Sequence, residues 1–206
     1  MQDYESLRRR IRTCTLCTLS RTRTNAVPGE GSLSSKLMFI GEAPGSTEDL
    51  LGRPFVGQAG KLLESIIRET LGLERQEVYI TNLVKCRPPN NREPRPEEID
   101  SCNSYLLEEI NIVKPAFIVT LGKHSTSFIL GKIGVRVNSI SQVRGKVFEW
   151  RTHSLIRVLP TYHPAAALYN PGLRGAIVED LSKLKQIYNN PGIDKFLERS
   201  DPADRE

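Results

Sequence analysis

Four cysteines are the only ones in the chain. Cys14 and Cys17 form a C-x-x-C in CTLC, and Cys86 and Cys102 follow far off in sequence. Four thiolates drawn together suit either tetrahedral zinc or an iron–sulfur cluster, and spacing does not choose between them. Two disulfides are disfavoured in an intracellular chain. A thioredoxin-like redox pair would need the C-x-x-C to follow a strand, which it does not. A second group of residues belongs to the stretch GEAPGSTEDLLGRPFVGQAG, from Gly41 to Gly60. Its glycines suggest a long irregular loop whose backbone closely approaches something, and it carries Glu42, Glu48 and a Phe55 held between turn formers. Phe55 is read as a platform for a flat ligand such as a base, or else as a core plug. Asn82 ends an apolar run, and its amide can both donate and accept, which is what reading a base edge requires. His163 precedes Pro164, whose ring restrains the backbone before it. His124 and His153 have no such context and are read as structural or surface residues.

These groups need a frame. Apolar runs at 36–40, 78–84, 115–121, 147–150 and 155–161 read as strands. Helical periodicity spans 60–72, a stretch from Pro96 to Val113, and 175–188, with a short helix at 122–131. Alternating strands and helices predict a mostly parallel sheet covered on both faces, a three-layer α/β/α sandwich. In such sheets ligands bind beyond the carboxyl ends of the strands. The Gly41 loop, Asn82 and His163 all fall at such ends. The Gly41 loop is not a dinucleotide fingerprint, because its next helical pattern waits until about Gly60. The chain reads as a single domain over 1–206, with a charged tail from about residue 191 that frays. The N-terminus lacks a signal-peptide pattern, and no segment reaches the length of a membrane span. A cytoplasmic, monomeric protein with no membrane partner is expected. The net charge of +5 permits an anionic partner.

GEAPGSTED, GRPFVGQAGKLL, TNLVKCRPPNNREP and TYHPAAAL occur in that order, with the four cysteines among them. Together they resemble the family 4 uracil-DNA glycosylases, the iron–sulfur members of their superfamily, over nearly the whole chain. The resemblance implies a [4Fe–4S] cluster on Cys14, Cys17, Cys86 and Cys102. It implies hydrolysis of the N-glycosidic bond of deoxyuridine in single- or double-stranded DNA, releasing uracil and leaving an abasic site for base excision repair in the nucleoid. Phe55 would stack on the flipped uracil, Asn82 would read N3–H and O4, and His163 would donate to O2. The chain departs from the superfamily at Ala43, where the best-known members have a catalytic Asp. Ala43 can offer only its backbone, so either Glu42 or Glu48 holds the attacking water, or positioning and leaving-group stabilisation carry the reaction. Lys85, Arg87, Arg92, Arg144 and Lys146 are expected on the DNA. Leu168 or Tyr169 is expected to wedge into the gap left by the base. The sequence names no repair or sliding-clamp partner. Two other classes are open to it: a non-catalytic iron–sulfur or zinc DNA-binding module, and a nucleotide-binding hydrolase of the same layer architecture.

Overall fold

The computed structural model describes residues 2–188, so the tail expected to fray from about residue 191 lies outside the described residues. Six strands form one sheet: β1 (Glu30–Gly31), β2 (Leu37–Gly41), β3 (Tyr79–Asn82), β4 (Phe117–Leu121), β5 (Phe148–Arg151) and β6 (Leu155–Thr161). Their order is β1-β3-β2-β4-β6-β5. The four central strands are parallel and the two edge strands antiparallel. Every residue of β2, β3 and β4 is buried. That is why these strands read as unbroken apolar runs rather than as alternating ones.

Helices cover both faces: α1 (Gln2–Arg12), α2 (Ser46–Leu51), α3 (Gln58–Leu71), α4 (Pro96–Val113), α5 (Lys123–Gly131), α6 (Ile140–Val143), α7 (Pro164–Tyr169) and α8 (Gly172–Tyr188). Side chains that alternate along a strand divide between two cores. Met38, Ile40, Tyr79 and Ile118 pack with Leu7 and Ile11 of α1, Leu106 and Ile110 of α4 and Ile129 of α5. Leu37, Phe39, Ile80 and Val119 pack with Leu63, Ile66 and Ile67 of α3 and with Ile177, Leu181 and Leu184 of α8. The expected three layers are present. Among the described residues no helix is long and apolar enough to cross a membrane.

The chain leaves β2 for β3 on one side and then returns to β4 on the other. The crossovers after β2 and β3 thus part between β2 and β4, the switch point at which such sheets open a crevice. The stretch from Gly41 to Gly60 is not the long irregular loop expected. It contains α2, which starts straight after Gly45 and stops at Gly52, where φ is 66°. Six mostly polar residues are too few to show a helical period in the sequence. The segment after His163 is likewise a helix, with Pro164 in its first turn.

Candidate active site

Register brings the site together. Gly41 of β2 pairs with Asn82 of β3, and Leu121 of β4 pairs with Thr161 of β6. The residues that follow these positions therefore share one end of the sheet. They line a cavity of about 380 Å³ with Glu42, Ala43, Glu48, Phe55, Asn82, Arg92, His163 and Tyr169 in its wall, every one singled out from sequence. Pro88, Asn91 and Ala165 also line it and were not.

Glycine makes the closest approach possible. A Cβ on Gly41 would stand 2.4 Å from Asn82 Oδ1 and 2.5 Å from Phe55 Cζ. Phe55 itself has φ of 50°, which is strained for a bulky side chain. The surrounding structure holds it there. Arg75 donates to Phe55 O at 2.8 Å and to Pro54 O, and is anchored on Glu64 at 2.8 Å. Gly60 lets the Phe55 carbonyl lie against α3, since a Cβ there would fall 2.0 Å from that oxygen. The ring is buried, so Phe55 is at once a core plug and a wall of the cavity. It stands 5.6 Å from the His163 ring at 32° between planes.

Glu48 closes the same loop. Its Oε1 accepts from the amides of Val56 and Gly57 at 2.9 and 2.7 Å. Glu42 is bound less tightly. Its carboxyl is half-buried, and burial pushes its pKa up, with His124 opposing and Glu93 adding to the shift. His124 Nε2 lies 4.0 Å from Glu42 and 3.2 Å from Glu93. His124 was read as structural or surface; the cue to its place was its position in the first turn after β4, at the switch point.

Asn82 is 1% exposed, and among the described residues its Oδ1 has no hydrogen-bond partner. An unpaired buried acceptor costs about 1–3 kcal/mol unless something else satisfies it. His163 caps α7: its Nδ1 accepts from Ala165 N at 3.1 Å. That bond assigns the proton of a neutral ring to Nε2. Burial pushes the His163 pKa down to about 4, with the Glu48 charge opposing, so at neutral pH the ring is an uncharged donor. Gly122, at φ 89°, accepts the His163 Cβ against its backbone.

The cysteines also converge. Cys86 and Cys102 sit in the core on the α1 and α4 face, and Cys14 and Cys17 pack against it. Burial pushes the Cys102 thiol up to about 12 and raises that of Cys86, neighbouring thiols adding to each shift. N–H donors face the sulfurs. Arg23 donates to Cys86 Sγ at 2.9 Å, Lys85 N to Cys102 Sγ at 3.2 Å and Leu16 N to Cys14 Sγ at 3.5 Å. Such donors suit thiolates that carry net negative charge onto a metal group. Among the described residues no three His, Cys, Asp or Glu side chains are set to hold a single metal ion. A cluster, whose ligands stand farther apart, asks for the same residues in a wider arrangement.

Two of the expected DNA contacts are elsewhere. Lys85 is 1% exposed and its ammonium lies on Glu109 at 2.7 Å, inside the core, so it cannot meet a phosphate. A Lys beside a loop cysteine reads as surface, because the sequence does not show its buried partner. Arg144 is spent on Asp180 at 2.7 Å, Glu179 and the Ala176 carbonyl, bracing the turn after α6 against α8. Arg92 lines the cavity and pairs with Glu98, Arg87 donates to Asn91 in the cavity wall, Lys146 is exposed, and Leu168 and Tyr169 are 42% and 90% exposed. Tyr169 stands at the cavity wall with nothing packed over it.

The model of the uracil DNA glycosylase superfamily matches residues 28–186. A type-4 uracil-DNA glycosylase of Sulfurisphaera tokodaii is 52% identical over 201 residues, covering 96% of this chain and 91% of that protein. One of Thermotoga maritima is 45% identical over 190 residues, 91% of this chain and 96% of that protein. A type-5 uracil-DNA glycosylase of Pyrobaculum aerophilum is 32% identical over 160 residues, 71% of this chain and 68% of that protein. The two type-4 relatives are thus similar to this chain over more than nine-tenths of its length and of their own, and this chain belongs to the uracil DNA glycosylase superfamily, in the type-4 group.

Proposed function

We infer that the protein removes uracil from DNA by hydrolysing its N-glycosidic bond. The observation that carries this is Asn82: a buried amide oxygen without a partner among the described residues, in the same cavity as an uncharged His donor and an aromatic face. A base turned out of the stack is the flat ligand that such a cavity fits. Uracil N3–H satisfies Asn82 Oδ1, and O4 accepts from the amide nitrogen. Cytosine presents an acceptor at N3 and a donor at N4, so both bonds become repulsive and the orphan stays unpaired.

As the C1′–N1 bond breaks, its electron pair passes to the uracil ring and negative charge grows on O2. His163 Nε2–H, uncharged and fixed in tautomer by Ala165, meets that charge without a proton changing hands. Glu42, its basicity raised by burial, holds the water that attacks C1′ and takes the water's proton. The uracil anion takes a proton from solvent at N1 on release, and Glu42 gives the water's proton back to solvent, which restores the enzyme. Glu48 sets the loop that holds Phe55, and its role is positioning. Arg87, Arg92 and Lys146 lie on the phosphates, with Leu168 or Tyr169 filling the gap in the stack. Cys14, Cys17, Cys86 and Cys102 hold a [4Fe–4S] cluster, which ties α1, the loop after β3 and α4 into one unit.

The test is release of free uracil from an oligonucleotide with a single U, against matched C and T controls. Excision of U alone supports the reading. DNA binding without release would return the chain to a non-catalytic DNA-binding module.

A further inference from the structure

Lys85 has no place in the chemistry just described. A lysine this deeply buried is a costly choice, since taking an ammonium out of water can outweigh what its ion pair returns, and an apolar side chain would fill the space. Its three protons have three acceptors: Glu109 Oε2 at 2.7 Å, Thr81 Oγ1 at 2.7 Å and the main-chain oxygen of Asn82 at 2.8 Å. Glu109 is held in turn by Thr81 Oγ1 at 2.7 Å and by the amide of Gly29 at 2.8 Å. The network is complete, and a complete buried network fixes geometry that packing alone leaves loose. What it fixes is the last peptide of β3. From the other side the Lys85 amide is tied to Cys102 Sγ at 3.2 Å.

We propose that Lys85 is a positioning residue for base recognition: its ammonium grips the Asn82 carbonyl and so sets the direction in which the Asn82 amide faces the cavity. This rests on the reading of Asn82 given above. The obligatory geometry is short, because carbonyl and side chain leave the same residue, and a small rotation of that peptide swings Oδ1 off the N3–H of the base. A salt bridge kept only for stability would not need its third donor on that carbonyl.

The test uses the full chain with the double substitution Lys85→Met and Glu109→Gln. Removing both charges leaves no buried ion without a partner, so the fold is expected to survive. Three quantities are compared with wild type: melting temperature, affinity for DNA carrying an abasic-site analogue, and inhibition of excision by free uracil. The proposal expects melting temperature and abasic-DNA affinity near wild type, with free uracil inhibiting roughly tenfold more weakly, as suits one charge-assisted hydrogen bond. Wild-type inhibition by uracil in the folded double variant would overturn it. So would a double variant that fails to fold, because the pair would then serve the fold and not the pocket. Wild-type excision run alongside separates the two readings. No uracil from wild type strikes at the proposed activity, whereas wild-type excision with an unaltered double variant strikes at Lys85 alone.

Discussion

At the scale of single residues the proposed reading turns on His163 and Asn82, both singled out in the sequence and both brought by the fold to one cavity. Asn82 ends β3 and His163 stands two residues beyond the end of β6, and each is a residue type whose polar atoms a base can use. What could not be read was protonation, which comes from burial and from the Ala165 amide. His163→Ala is expected to lower the single-turnover rate by about 10²–10³, the usual cost of losing one donor to a developing anion. Abasic-DNA affinity should hold; a normal rate in the folded variant would remove His163 from the mechanism. Its depressed pKa also has a sign. Below pH 6.5 the unfolded chain takes up a proton that the folded chain refuses until about 4. Stability from this group is thus full above 6.5 and is lost as pH falls towards 4. Melting curves should show wild type losing stability faster than His163→Gln across that window. Excision should show no inflection near 6.5 that His163→Gln abolishes. Asn82→Asp is expected to slow uracil excision, because a carboxylate cannot donate to O4; an unchanged rate would contradict the pairing.

At the scale of elements, long strands and helices could be read and short ones could not. α4 announces itself by Pro96 in its first turn and an apolar repeat, and Glu98 reaches back to the Arg95 amide at 2.8 Å. β1 has two residues, α2 and α7 have six each, and none offers a period to count. Of these, α2 and α7 shape the cavity, which explains why its residues could be singled out and its walls could not. The loop before α3 is specified by close contacts rather than by propensity. Gly60→Ala sets a methyl 2.0 Å from the backbone oxygen of Phe55, which has no flexible side chain to give way. Overpacking of that kind costs about 1–3 kcal/mol. Urea titration should find the loss, and excision should fall with it as Phe55 is displaced. Gly41→Ala differs, since its clash is with Asn82 and the Phe55 ring and not with main chain. It is expected to spare most of the stability and to weaken uracil binding. Equal effects of the two on stability would show that the Phe55 turn is not held by α3.

At the scale of the whole molecule, two sites lie on one segment. Asn82 and Cys86 are joined by a stretch whose amides continue onto β2, with Leu83 N on Gly41 O at 2.9 Å and Val84 N on Glu42 O at 3.0 Å. The cysteine count was plain in the sequence, but what the cysteines join was not, because α1 had no reading as a helix. The structure shows α1 laid on α4 through Leu7 and Ile11, with Cys14 and Cys17 just beyond its end and Cys102 on α4. A metal group on those sulfurs would be a cross-link between three segments, and such sites contribute folding free energy directly. Cys102→Ser would remove the proposed ligand on the longest of these elements. It is expected to lower both the iron content and the melting temperature, with α1 and the loop after β3 the first regions to exchange their amide protons. Glu42 and Asn82 are reached through that loop, so excision should decline with the loss of protection there, ahead of global unfolding. If Cys102→Ser kept full iron content and wild-type protection in α1, the cysteines would not form one shared site.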